Sequence, residues 1–206
     1  MTTLHPFTSP LATGLTAEAQ SFVDAGLAAS QSNNAQEALR LFGLAAVASP
    51  SSPLPPFLRG SELASFGRVD DAEAAFANAV LLAPGFHIAR YQLGLLQFSS
   101  GRAAVGLVTW HALFALTDAD PLLHFVRGFA ALTQDRSESA RAHFNEGLSR
   151  DGGNASVAAD IRKVLDRMDA GAAGASSASA TPEPARVEPS ANHILIANYG
   201  KSGTMH

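Results

Sequence analysis

Seven histidines, an aspartate pair and a Gly-Lys-Ser triplet are the side chains of this sequence whose types and spacing could do chemistry. The histidines are His5, His87, His111, His124, His143, His193 and His206. None stands in the H-x-x-x-H or H-E-x-x-H spacing that sets two imidazoles on one helical face around a metal. Asp118 and Asp120 are spaced like a metal pair, but they sit in Thr117-Asp-Ala-Asp-Pro121, a polar run before a proline, where turn and cap roles are expected. Gly200-Lys201-Ser202 matches the end of a phosphate-binding loop. The first glycine of that loop would fall on Leu195, and four residues after Ser202 leave no room for the helix it must open. Cysteine is absent, which excludes thiolate chemistry, disulfides and cysteine-ligated zinc. No G-x-S-x-G motif, glycine-rich dinucleotide loop or carboxylate cluster is present. We therefore expect no catalytic residue, no cofactor and no metal.

The bulk properties narrow the field further. The 206 residues carry a net charge of −4, so no basic field attracts a phosphate backbone and nucleic acid is not an expected partner. With 47% hydrophobic and 16% charged residues, there is enough apolar material for a core. The start lacks a basic segment followed by an apolar one, and no run approaches the roughly 18 apolar residues of a membrane span. A soluble cytoplasmic protein is the expectation.

What must position these residues is a repeat. Ala72, Phe76, Ala79 and Pro84 lie in one stretch. Stepping back 34 residues gives Ala38, Phe42, Ala45 and Pro50; stepping forward gives Gly106, Trp110, Leu113 and Asp118, then Ala140, Phe144, Gly147 and Gly152. Gly26, Gly60, Gly94 and Gly128 form a second series with the same 34-residue spacing. Small residues let two helices approach closely, and an aromatic one turn on fills the gap between repeats.

The period and residue types resemble the tetratricopeptide repeat. The resemblance implies an all-α, tetratricopeptide-type solenoid of helical hairpins, with repeats at about 19–52, 53–86, 87–120 and 121–154. Asp70 with Glu73 looks like a capping box opening a second helix, and Pro53, Pro55 and Pro56 fall in the first turn of repeat two. Residues 155–168 read as an amphipathic end helix covering the last repeat, with Val157, Ile161, Val164, Leu165 and Met168 at helical spacing. The first helices are atypical: the usual bulky positions hold Phe22, Pro56, Arg90 and His124. The expected organisation is an extension over 1–18, the array with its end helix over 19–170, a flexible linker over 171–192 and an apolar tail over 193–206.

Tetratricopeptide arrays bind ligands in a concave groove lined by first helices. The matching positions are Val23, Leu27, Leu54, Phe57, Ser61, Ile88, Tyr91, Leu95, Phe98, Leu122, Phe125, Phe129 and Leu132. Part of this set must pack between helices; the rest is expected to form an apolar strip. From it the resemblance implies Phe57, Tyr91, Leu95, Phe98, Phe125 and Phe129 as contacts for an apolar segment of a protein partner. Ile194, Leu195, Ile196 and Tyr199 join them as a tail that docks in cis, on another copy or on a partner. The carboxylate-clamp mode of some family members is unsuited, because no lysine precedes Lys163. The expected function is a non-enzymatic adaptor or scaffold. The alternative is a chaperone of the kind that holds hydrophobic type III secretion substrates.

Overall fold

The computed structural model of the chain describes residues 14–150 and 154–177. Among them run α1 (Ala17–Gln31), α2 (Ala35–Ala48), α3 (Leu54–Ser65), α4 (Val69–Leu82), α5 (His87–Ser99), α6 (Ala103–Trp110), a 3-10 turn (His111–Ala115), α7 (Pro121–Leu132), α8 (Ser137–Ser149) and α9 (Ala155–Ser177). There is no strand among the described residues. Two compact units divide between Gln97 and Phe98, inside α5. In the first, α1 packs on α2, α2 on α3 and α3 on α4; in the second, α7 packs on α8 and α8 on α9.

The 34-residue register is built by two devices. One is the glycine–aromatic contact. A methyl group added at Gly26 would stand 2.6 Å from the Phe42 ring, and one at Gly60 would stand 2.7 Å from Phe76; Gly128 faces Phe144 in the same way. Each ring occupies the space that a side chain of the preceding helix would fill, which is why the position is glycine. Phe42, Phe76 and Phe144 are accordingly buried. In the last hairpin a reciprocal contact is added, with the Phe125 ring against Gly147.

The second device, not noticed in the sequence, ends the first helix of every repeat. Asn33 (φ 57°), Gly67 (φ 70°), Gly101 (φ 79°) and Asp135 (φ 54°) are the left-handed residues among those described, and each is 34 positions from the next. At three of them the following amide reaches back to the helix: Asn34 N donates to Ala29 O at 2.9 Å, Arg68 N to Leu63 O at 3.0 Å and Arg136 N to Ala131 O at 3.0 Å. These six-to-one bonds reverse the chain within three residues and satisfy carbonyls left over at the helix end. Glycine, asparagine and aspartate are the residues that tolerate the conformation.

Helix starts follow local chemistry. Thr16 Oγ1 accepts from Ala19 N at 3.1 Å and opens α1. Asp120 Oδ1 accepts from Leu122 N at 2.9 Å ahead of Pro121, while Asn154 Oδ1 accepts from Ser156 N at 2.9 Å and opens α9. Pro55 and Pro56 fall in the first turn of α3, where no amide donor is needed. Two expectations are corrected. Asp70 caps nothing: α4 begins at Val69 after Arg68, and Asp71 instead pairs with Arg68 at 2.6 Å. And α9 continues to Ser177, seven residues into the stretch expected to be linker. Alanine's helix propensity and a start already anchored by Val157, Ile161 and Val164 let the helix propagate. Residues 178–192 and the tail lie outside the described residues.

Candidate functional site

Among the described residues, Asp118, Asp120 and His124 occupy structural roles. Among the described residues no three His, Cys, Asp or Glu side chains gather closely enough to hold a metal ion. Asp120 is a helix cap, and Asp118 holds Arg127 at 2.9 Å. His87 is half-buried and His111 exposed. His124 is buried, with Nε2 2.9 Å from the backbone oxygen of Asp118. Its ring centre is 6.4 Å from that of His143. Partial burial pulls the His143 pKa below its ordinary value, and the charge of Arg127, then His124 and Arg136, adds to the effect. His5, His193, His206 and the Gly200-Lys201-Ser202 triplet lie outside the described residues.

The expected partner-binding strip is largely core. Tyr91 and Leu95 are buried in α5, with 0% and 5% of their surface exposed. Phe98, Phe125 and Phe129 are at most 3% exposed. The reason is visible in the ring contacts. Phe98 lies 5.1 Å from Phe129 and 5.8 Å from Trp110, and Phe129 meets Phe144 edge-on at 5.0 Å. Phe125 is spent on Gly147. Such pairs hold helices together and present nothing to a partner. Phe57 is half-buried, its ring 4.9 Å from Phe86 and 5.9 Å from Phe76. Val23 is buried; Leu27, Leu54, Ile88, Leu122 and Leu132 keep part of their surface, and Ser61 is exposed. Ile194, Leu195, Ile196 and Tyr199 lie outside the described residues.

Apolar surface is instead on the second helices. α6 carries no charged residue from Ala103 to Trp110. It buries Gly106 and Trp110 and exposes Val105 (45%) and Val108 (76%), and the 3-10 turn that follows adds Phe114 (38%). Val105 and Val108 are three apart, hence on one face. In the first unit Val47 and Leu81 are 80% and 78% exposed at equivalent positions of α2 and α4, with Leu44 beside Val47. A signal for them was present in the sequence. Each lies five residues after an inward phenylalanine, Phe42 or Phe76, and at 3.6 residues per turn that step swings about 140° away from the core.

No protein-family model matches the chain, and no curated relative does. Solved structures do resemble it. An RS-1 double mutant of MamA is 18% identical, with 90% of this chain covering 92% of that one at a TM-score of 0.57. MamA from Desulfovibrio magneticus RS-1 gives 17% identity, the same coverage and the same TM-score. A further MamA crystal structure gives 16% identity, 65% and 78% coverage, and a TM-score of 0.54. The repeated glycine–aromatic hairpin and these neighbours agree: the chain has the tetratricopeptide-repeat fold.

Proposed function

We propose that the chain is a protein-interaction module without chemistry of its own, and that the outward face of α6 is where a partner's apolar segment binds. The observation that carries the reading is an uncharged helix with Val108 three-quarters exposed and Val105 on the same face, followed by the exposed Phe114. Isolated surface apolar residues are ordinary. A whole helix without a charge, showing two large apolar side chains and followed by a turn that shows a third, is the pattern of a face meant to be covered. The adaptor reading needs only such a face. The chaperone alternative would present it to an apolar export substrate. A partner segment lying along the first helices of the first unit instead would meet the part-exposed Leu27, Leu54, Phe57 and Ile88.

The test is capture of interacting proteins by the immobilised chain and by Val105→Asp/Val108→Asp. Loss of a stoichiometric partner with helical circular dichroism unchanged supports the site; undiminished capture removes it. Ile194, Leu195, Ile196 and Tyr199 are proposed as a second recognition element. Ile194→Asp/Ile196→Asp then weakens capture if the segment contacts the partner and strengthens it if the segment competes. Unchanged capture rejects that role.

A further inference from the structure

The repeat register shows what is unusual about α6. Val105 stands where α2 has Glu37 and α4 has Asp71, and Val108 stands where α2 has Arg40. In α2 and α4 these positions serve surface ion pairs: Glu37 holds Arg40 at 2.7 Å, and Asp71 holds Arg68 at 2.6 Å. Residues 103–117 include no Asp, Glu, Lys or Arg. The 34-residue pattern therefore does not require an apolar face here, yet Val108 keeps 76% of its surface. The face is small. A stable interface between folded proteins takes about 20–30 residues a side. This one offers three large side chains, Val105, Val108 and Phe114, which suits a short segment better than a second copy of the chain. The sequence holds such a segment outside the described residues. Residues 191–200 carry Ile194, Leu195, Ile196 and Tyr199 and, like α6, no Asp, Glu, Lys or Arg. No charge loses its hydration when two such surfaces meet.

We propose that residues 193–200 fold back on the α6 face of their own chain and cover it until a partner's apolar segment displaces them. This rests on the reading of α6 as the partner's site and adds its regulation. The covalent path is long enough. α6 packs on α7, α7 on α8 and α8 on α9, all within the second unit. Three helix-to-helix steps of about 10 Å bound the gap. The part of α9 beyond Val164, the last buried residue of that helix, adds up to about 20 Å. Residues 178–192 extend to about 50 Å, which bridges it. Joined to the chain, the segment meets the face intramolecularly, so a contact too weak to hold a separate peptide suffices. The partner must then displace the cover, and Ile194→Asp/Ile196→Asp strengthens capture.

The chain has no cysteine, so Val108→Cys places a single thiol on the face. Its alkylation rate in the full chain, with no partner present, reads whether the face is covered. The expected result is a several-fold rise in that rate when Ile194→Asp/Ile196→Asp or Leu195→Asp/Tyr199→Asp is added. Val47→Cys, at a similarly open position of α2, is the control, and its rate stays the same. Rates at Val108→Cys that neither tail variant raises overturn the proposal. So does an equal rise at Val47→Cys, which is a general loosening. Protection that fades on dilution assigns the segment to another copy and overturns the contact in cis. The partner's site is judged separately. Unchanged alkylation with capture lost in Val105→Asp/Val108→Asp removes the cover and keeps the site, whereas a protected thiol with capture undiminished in that variant keeps the cover and removes the site.

Discussion

Helices α6 and α7 are neighbours in sequence, both short and both apolar, yet they use their apolar residues in opposite ways. α7 buries Leu123, Phe125, Val126 and Phe129, while α6 leaves Val105 and Val108 in solvent. In α7 the apolar residues meet matched partners: Gly128 admits the Phe144 ring, and Gly147 of α8 admits Phe125. α6 is apolar all round, and Gly106 with Trp110 accounts for its buried side. A helix with more apolar faces than covering neighbours shows the surplus. The lesson is that composition marks both helices as core material, and only the burial of individual side chains separates them.

The largest effect that tests this contrast is cavity formation. Phe144→Ala should cost about 3–5 kcal/mol in denaturant unfolding, and Phe76→Ala a similar amount, since both rings are almost fully buried against glycine. A loss under about 1 kcal/mol would show that the hairpin closes over the gap. Next comes Gly128→Ala. Its added methyl meets ring carbons of Phe144, and overpacking of this kind costs about 1–3 kcal/mol. Val108→Asp should sit at the other extreme, within about 0.5 kcal/mol of the natural chain, because its side chain already faces water. If Val108→Asp destabilises like Gly128→Ala, the α6 face is covered and the contrast fails.

Much of the fold was legible in the sequence because the devices that set it recur. A glycine and an aromatic sixteen residues apart, such as Gly60 and Phe76, signal close helix approach wherever they fall. The left-handed turn positions were equally periodic but chemically mixed, Asn33 and Asp135 flanking Gly67 and Gly101, so no single residue type betrayed the series. The binding strip was misplaced for a different reason. Tyr91, Phe98, Phe125 and Phe129 are what a partner-binding face and an aromatic core both require, and their burial decides between them. Asp70 and Glu73 satisfied a capping pattern one step out of phase, since α4 starts after the turn ending at Arg68 and not at Asp70. The boundary at Gly171 rested on small residues, which in an alanine-rich run serve a helix as readily as a linker.

A last comparison sets the turns that lead into α6 and α8 side by side. Gly101 has φ 79° with nothing within 4 Å of an added Cβ. Gly101→Ala therefore meets no steric neighbour, and its cost is backbone strain alone, about 1 kcal/mol. Asp135 holds the equivalent conformation, φ 54°, with a side chain already in place. Asp135→Gly relieves that strain but gives the unfolded chain more freedom, so the two terms offset each other and the net change should stay within about 0.5 kcal/mol. Unfolding midpoints of the two variants measured side by side decide the matter. Equal losses would mean that the residue at this position contributes through contacts and not through its backbone angle. A loss confined to Gly101→Ala makes the left-handed turn itself the shared element, indifferent to whether the helix it introduces is covered or exposed.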